Sequence, residues 1–391
     1  MTTLRRAAAV VLALLSIVVF VGPTLALTWG PFRPITSSGA GIGMRGSTVA
    51  YADGVAVAYV DFDGAYGVNV RRSTDGGTTW TAPTQLSANG TQRTRPALAA
   101  SGNRLDAVFT ESNDGGATSR VIYRSSANGG GSWSPPLALS PAGTEAGSAT
   151  VARSSSQVVV AWTNAGTGKV GVRVSDDGGT TFGPRSDLAT SANEPNTGMA
   201  GDPTEGWATV AISDGRINVA YHTSDTTLKL RRSGDGGDSW TTAVTLATDS
   251  VGLVPPSIAS GGVKLLIGYT VQTRSGFVYA AYRRSGDRGA SWSTAIPFSG
   301  ASTAATAAPV VTFRASRWRV AFSRFVGEAD THIYYRQSLD GISWGTATKA
   351  VSGPRPSQFP VGVTHHDGKV IIVYNTSDGT GVVDVRVRQG S

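Results

Sequence analysis

The 391-residue sequence predicts an all-β fold, a β-propeller of seven four-stranded blades in which an N-terminal strand completes the last blade. Three observations carry this prediction. An octet of the form S-x-D-x-G-x-x-W returns six times, an apolar strand ending in an aromatic returns seven times, and 50 Gly and 18 Pro accompany only 15% charged residues. A chain of this length ordinarily divides into two or more domains, but a repeat fold grows by copying one unit and can remain a single domain. Abundant Thr, Ser and Val between Gly-rich turns favour short strands over long helices. Six blades is the alternative count.

The first element is not part of the propeller. Arg5 and Arg6 precede an apolar run over residues 7–21, followed by Gly22, Pro23 and the small-residue site Thr24-Leu25-Ala26. This is the pattern of an export signal cleaved after Ala26. Residues 1–26 are therefore expected to be removed, and residues 27–391 to form one secreted or extracytoplasmic domain. The run falls short of the roughly 20 residues that span a bilayer, so a retained anchor is the alternative. No later segment could cross a membrane.

Residues 28–36 (TWGPFRPIT) align with residues 79–87 (TWTAPTQLS), which places Trp29 at the position of an octet Trp. They read as the last strand of a blade with no earlier strands before it. Each following unit holds a small-residue strand a, an apolar strand b, a strand c ending near Arg-Ser, the octet and a short strand d. Strand b ends at Tyr59, Phe109, Trp162, Tyr221, Tyr269, Phe322 and Tyr374. The octets begin at Ser73, Ser126, Ser175, Ser233, Ser285 and Ser338, with spacings of 53, 49, 58, 52 and 53 residues. The seventh unit has strands near Val361, Ile371 and Val385 but ends at Ser391 without an octet or strand d. The N-terminal strand supplies that missing edge and closes the ring.

The octet has the chemistry of a hairpin turn. Its Asp accepts hydrogen bonds from nearby backbone N–H groups, its glycines take up positive φ, and its aromatic packs beneath the loop. The residues concerned are Asp75 and Trp80, Asn128 and Trp133, Asp177 and Phe182, Asp235 and Trp240, Asp287 and Trp292, and Asp340 and Trp344. In this motif the chain resembles the Asp-box, or BNR, repeat propellers, a group that includes sialidases. The resemblance covers nearly the whole of residues 27–391. It implies a structural role for the box carboxylates. Sialidases have six blades, one fewer than are counted here.

In a propeller the d-to-a and b-to-c connections share the face where ligands usually bind, and the boxes occupy the other. The sialidase resemblance implies an arginine for a substrate carboxylate just before the first strand a, a position held by Arg45; residues 32–35 (FRPI) carry similar letters but fall in strand d. It implies an acid/base Asp in the first b-to-c region, where Asp61 and Asp63 stand. Glu111 is a further candidate carboxylate, and Arg95, Arg274 and Arg324 are further candidate substrate-binding arginines. The Tyr nucleophile that the resemblance requires has no matching segment. The order of a P-loop or H-E-x-x-H occurs nowhere. His365 and His366 adjoin a turn and point to opposite faces of a strand, which disfavours a shared ion. No metal or cofactor is expected.

With no Cys there can be no disulfide, Cys-ligated metal or lipidated Cys, and stability must come from packing. The formal net charge is +8, carried mostly by Arg, which fits an acidic glycan or anionic surface as partner; codon usage would equally enrich Arg. The arginines are spread through every repeat, unlike a nucleic-acid patch. The functional expectation is a monomeric binding propeller that recognises a glycan, cell-envelope or protein surface through its loop face, with a sialidase-like exo-glycoside hydrolase as the alternative.

Overall fold

The computed structural model describes residues 27–36, 46–61, 67–88, 96–112, 119–141, 146–164, 169–188, 208–223, 227–250, 255–298, 304–326, 330–352, 357–377 and 383–391. The expected export signal lies outside these residues. β1 (Arg33–Pro34) comes first. Blade I holds β2 (Gly46–Ala50), β3 (Val55–Asp61), β4 (Gly67–Ser73) and β5 (Thr84–Gln85). Blade II holds β6 (Ala97–Ser101), β7 (Arg104–Glu111), β8 (Arg120–Ser126) and β9 (Leu137–Ala138). Blade III holds β10 (Ala146–Ser154), β11 (Gln157–Asn164), β12 (Lys169–Ser175) and β13 (Ser186–Asp187). Blade IV holds β14 (Ala208–Ser213), β15 (Arg216–His222), β16 (Leu228–Ser233) and β17 (Val244–Ala247). Blade V holds β18 (Ser257–Gly261), β19 (Lys264–Gln272), β20 (Val278–Ser285) and β21 (Ile296–Pro297). Blade VI holds β22 (Thr306–Arg314), β23 (Arg317–Val326), β24 (Asp330–Ser338) and β25 (Thr348–Val351). Blade VII holds β26 (Ser357–His366), β27 (Lys369–Ser377) and β28 (Val383–Gly390), with β1 as its fourth strand.

The seven sheets are antiparallel, and their first strands touch one another in sequence until β26 meets β2 and the ring is closed. Small side chains on these strands permit the crowding. The second strands are buried on both faces because a neighbouring blade covers each, and so they read as continuous apolar runs. Their terminal aromatics pack toward the preceding blade: Tyr59 lies against Ile371, Val373 and Val385 of blade VII, and Phe322 against Phe298 of blade V.

The N-terminal closure follows the predicted register. Arg33 pairs with Val387 and Pro34 with Arg386, and Trp29 forms a bridge with Gly390. The Thr28 amide donates to the Ser391 carbonyl at 2.9 Å and the Ser391 amide returns a bond to Thr28 at 3.1 Å. Ile35 is fully buried, and Trp29 meets Tyr335 edge-on at 5.7 Å.

The boxes are built as their chemistry requires. In blade I the Ser73 hydroxyl donates to Asp75 at 2.8 Å, and the Thr79 amide and hydroxyl donate to the same carboxylate at 2.9 and 2.7 Å. Gly76 and Gly77 take φ of 69° and 88°, values that an L side chain rarely adopts. Asn128 replaces the Asp in blade II and keeps the geometry, its Oδ1 accepting from the Ser132 amide at 2.9 Å while its Nδ2 donates to the Ser132 hydroxyl at 3.0 Å. Trp80, Trp240 and Trp292 each donate from Nε1 to the carbonyl of the glycine three residues before at 3.1 Å.

The arginines have a use that neither an acidic partner nor codon usage anticipates. Arg124, Arg336 and Arg388 stand on the third strands of blades II, VI and VII. Nε of each donates at 2.7 Å to a carbonyl in its own blade's box-to-edge segment: Ser134, Gly345 and Gly30. Nη1 of each reaches an edge carbonyl of the preceding blade: Leu86 at 2.7 Å, Phe298, and Ala350 at 2.7 Å. A rigid five-donor fork suits this double duty. Arg314 of blade VI reaches further and donates to His365 of blade VII and to Ala50 and Tyr51 of blade I, at 3.0 to 3.2 Å.

Candidate functional site

Side chains two apart on a strand share a face. The residue two beyond each second-strand aromatic therefore also faces the preceding blade, at the end where the b-to-c connections leave. In blades I to VII this rung is Asp61, Glu111, Asn164, Thr223, Val271, Arg324 and Thr376. Asp61 and Glu111, both proposed from sequence as catalytic carboxylates, thus occupy equivalent positions on adjacent blades.

Glu111 is buried, and a buried carboxylate needs a counter-charge with good hydrogen bonds. Arg120, its cross-strand partner, provides both: Nη2 lies 3.0 Å and Nε 3.3 Å from Oε2. The Arg120 side chain remains 39% exposed, which leaves guanidinium surface available to solvent or a ligand. Asp61 is half-buried at the end of β3 opposite Gly67. Burial pushes the Tyr59 hydroxyl up to about 12, with nearby Arg71 pulling against it and Asp61 adding to it.

Of the arginines predicted to bind substrate, Arg274 and Arg324 are among the described residues. Arg324 is on the carboxylates' rung but in blade VI, with its guanidinium 5.3 Å from the Tyr334 ring centre. Arg274 is exposed on the hairpin between β19 and β20, three residues beyond the blade V rung position Val271. Asp63, Arg45 and Arg95 lie outside the described residues.

Sequence reasoning missed Arg120, which could have been found by folding the β7–β8 hairpin about its connection. The His222 side chain is buried, with Nε2 3.0 Å from the Ser250 hydroxyl. Burial lowers His222 to about 4, so it is neutral at physiological pH. Tyr59, Tyr221, Tyr269, Tyr282 and Tyr335 are core side chains whose hydroxyls burial pushes up, the reverse of what a nucleophile requires. Among the described residues no group of three or more His, Asp or Glu side chains is placed to hold a metal ion. No helix of the described residues is long and apolar enough to cross a membrane.

The family model described as a BNR repeat-like domain matches residues 55–279. The chain belongs to the BNR repeat-like family. This BNR propeller shares its fold with an ulvan lyase, a polysaccharide lyase solved with a GlcA–Rha3S saccharide, at TM-score 0.58 and 10% identity, over 86% of this chain and 90% of that one. It is also similar to an α-L-arabinofuranosidase from Fusarium graminearum, at TM-score 0.51 and 12% identity, over 88% and 92% of the two chains. A Trypanosoma rangeli sialidase aligns at TM-score 0.45 and 14% identity, over 88% of this chain and 53% of the sialidase. No curated protein matches the sequence.

Proposed function

We propose that this BNR propeller is an extracytoplasmic carbohydrate-active protein that engages a glycan at the b-to-c rim and hydrolyses a glycosidic bond there as an exo-acting glycoside hydrolase. The observation that carries the reading is the shared rung of Asp61 and Glu111 on adjacent blades. Glycoside hydrolysis most often uses two carboxylates, one to protonate the leaving oxygen and one to act as nucleophile or to activate water. Glu111, paired with Arg120, is suited to the ionised role. Asp61, half-buried at the equivalent position of blade I, takes the other role. The carbohydrate-cleaving activities named for the ulvan lyase and the arabinofuranosidase, the second of them a hydrolase, support a glycan-cleaving enzyme over the purely binding propeller expected from sequence. A sialidase-type Tyr nucleophile receives no support from the described tyrosines.

The test is turnover of a panel of fluorogenic aryl glycosides, including an arabinofuranoside and a sialoside, by residues 27–391, alongside Asp61→Asn and Glu111→Gln. The expected result is turnover of at least one substrate and a loss of a hundredfold or more in both variants. Turnover that survives both substitutions would remove these carboxylates from the chemistry. Glycan binding with no turnover of any substrate would instead establish a binding propeller.

A further inference from the structure

At the cleft between blades V and VI, one row crosses three strands: Thr306, Arg324 and His332 are direct cross-strand partners, so their side chains share a face. The next row adds Tyr334 with its partner Lys349. Phe322, two residues before Arg324, packs near-parallel to Phe298 of blade V at 6.3 Å between ring centres, which fixes the face as the one turned to blade V. Three side chains that are or can become cationic thus converge beside one carboxylate, that of Asp330, two residues before His332.

The cluster is poorly satisfied by the protein itself. The Arg324 guanidinium lies over the Tyr334 ring at 5.3 Å, and its Nε is buried without a hydrogen-bond partner among the described residues. An orphaned buried guanidinium N–H has an energetic cost that a ligand acceptor beside it would remove. Lys349 is exposed and forms no ion pair among the described residues. The stacked ring holds the fork in one orientation, which reduces the entropy lost when a ligand binds.

We infer that Arg324, His332 and Lys349 form a subsite for an oxyanion carried by a glycan, a sulfate ester or a carboxylate, in the cleft between blades V and VI. A planar fork presented beside an ammonium group matches either oxyanion, with Arg324 supplying paired N–H donors and Lys349 a mobile point charge. The subsite lies four blades on from Glu111, so it selects acidic chains and does not act on the scissile bond. It holds whether the propeller cleaves its glycan or only binds it.

The experiment is isothermal titration of residues 27–391 with dextran, carboxymethyl-dextran and dextran sulfate, which share a backbone and differ in the charged group. The variants are Arg324→Gln/Lys349→Gln and, as a charge-matched control at the opposite end of the strands, Arg104→Gln/Lys264→Gln. The expected result is binding of at least one charged polymer but not dextran, weakened tenfold or more in the first variant and less than twofold in the control. Preference between the two charged polymers identifies the oxyanion. Equal weakening in both variants, or no binding of either charged polymer, would overturn the subsite. Loss of binding there with turnover of aryl glycosides retained would separate it from the catalytic reading. Thermal melts of both variants within a few degrees of the parent exclude unfolding as the cause, and Arg324→Lys, which keeps the charge but loses the fork, should recover only part of the affinity.

Discussion

Asp106 on β7 is fully buried, and its carboxylate is shared between two blades. It accepts from the Tyr123 hydroxyl within blade II and from Nε and Nη2 of Arg153 on β10 of blade III, the Nη2 contact at 2.7 Å. Arg153 is 1% exposed at its side chain and donates onward to the Gly178 and Ser155 carbonyls at 2.9 and 3.0 Å. Replacing Asp106 with Ala leaves a buried guanidinium without its counter-charge, a change that costs about 3–5 kcal/mol. Unfolding entropy near 2.1 cal/mol/K per residue comes to about 0.8 kcal/mol/K for a chain of this size, so about 4 kcal/mol should lower Tm by roughly 5 °C. Because an unpaired charge is costlier than no charge, Asp106→Ala/Arg153→Met should recover at least half of that loss. The assay is calorimetry of the single and double variants with urea melts. A single variant within about 1 °C of the parent, or a double variant no better than the single, would refute the reasoning.

Other outcomes follow from the same structure. His222 is held near 4 by burial against an unfolded value near 6.5, so below pH 6.5 only the unfolded chain takes up its proton. Stability is therefore fully present above pH 6.5 and falls as pH drops toward 4, by at most about 1.4 kcal/mol per pH unit; His222→Gln should flatten that part of the urea-midpoint profile. The hydrogen bond from the Ser291 hydroxyl, opposed by burial and joined by the Ser291 amide and the Ser285 hydroxyl, lowers Asp287 to about 2. Its stabilisation is present above the unfolded value near 3.9 and is lost as pH falls through about 2, so Asp287→Asn should reduce the acid sensitivity between pH 4 and 2 in melts followed by Trp fluorescence. Arg388→Met removes two charge-assisted hydrogen bonds that tie β28 to the Gly30 and Ala350 carbonyls and should cost about 2–3 kcal/mol in urea denaturation. Ile35→Ala should cost about 2–4 kcal/mol by leaving a cavity under the closing strand, and limited proteolysis should then cut first near residues 27–36.

Much of the fold was legible because its causes are local. The box turn depends on a Ser and an Asp two residues apart with glycines after them, and the blade on an apolar run ending in an aromatic, so six boxes and seven such runs could be counted directly. The register of Trp29 with the box tryptophans located the closing strand before any pairing was known, because the same turn-and-strand segment recurs where the chain begins. That Asp61 and Glu111 stand at the b-to-c ends of their blades was also legible from their position within the repeat.

What the tertiary structure alone decided concerns groups that meet across blades. The arginines near the end of each third strand look alike in sequence, yet Arg124, Arg336 and Arg388 become staples only because a neighbouring blade presents an edge carbonyl within reach. Asp106, Asn218 and Arg319 occupy one repeat position in blades II, IV and VI, and only the first finds an opposite charge, since only blade III sends Arg153 across to it. Arg324, read at first as one arginine among several, is distinguished by the side chains that β24 and β25 place beside it. A repeat specifies each blade through contacts close in sequence, whereas the charge at an inter-blade cleft is set by pairs some 40 or more residues apart, and such pairs become neighbours only when the ring closes.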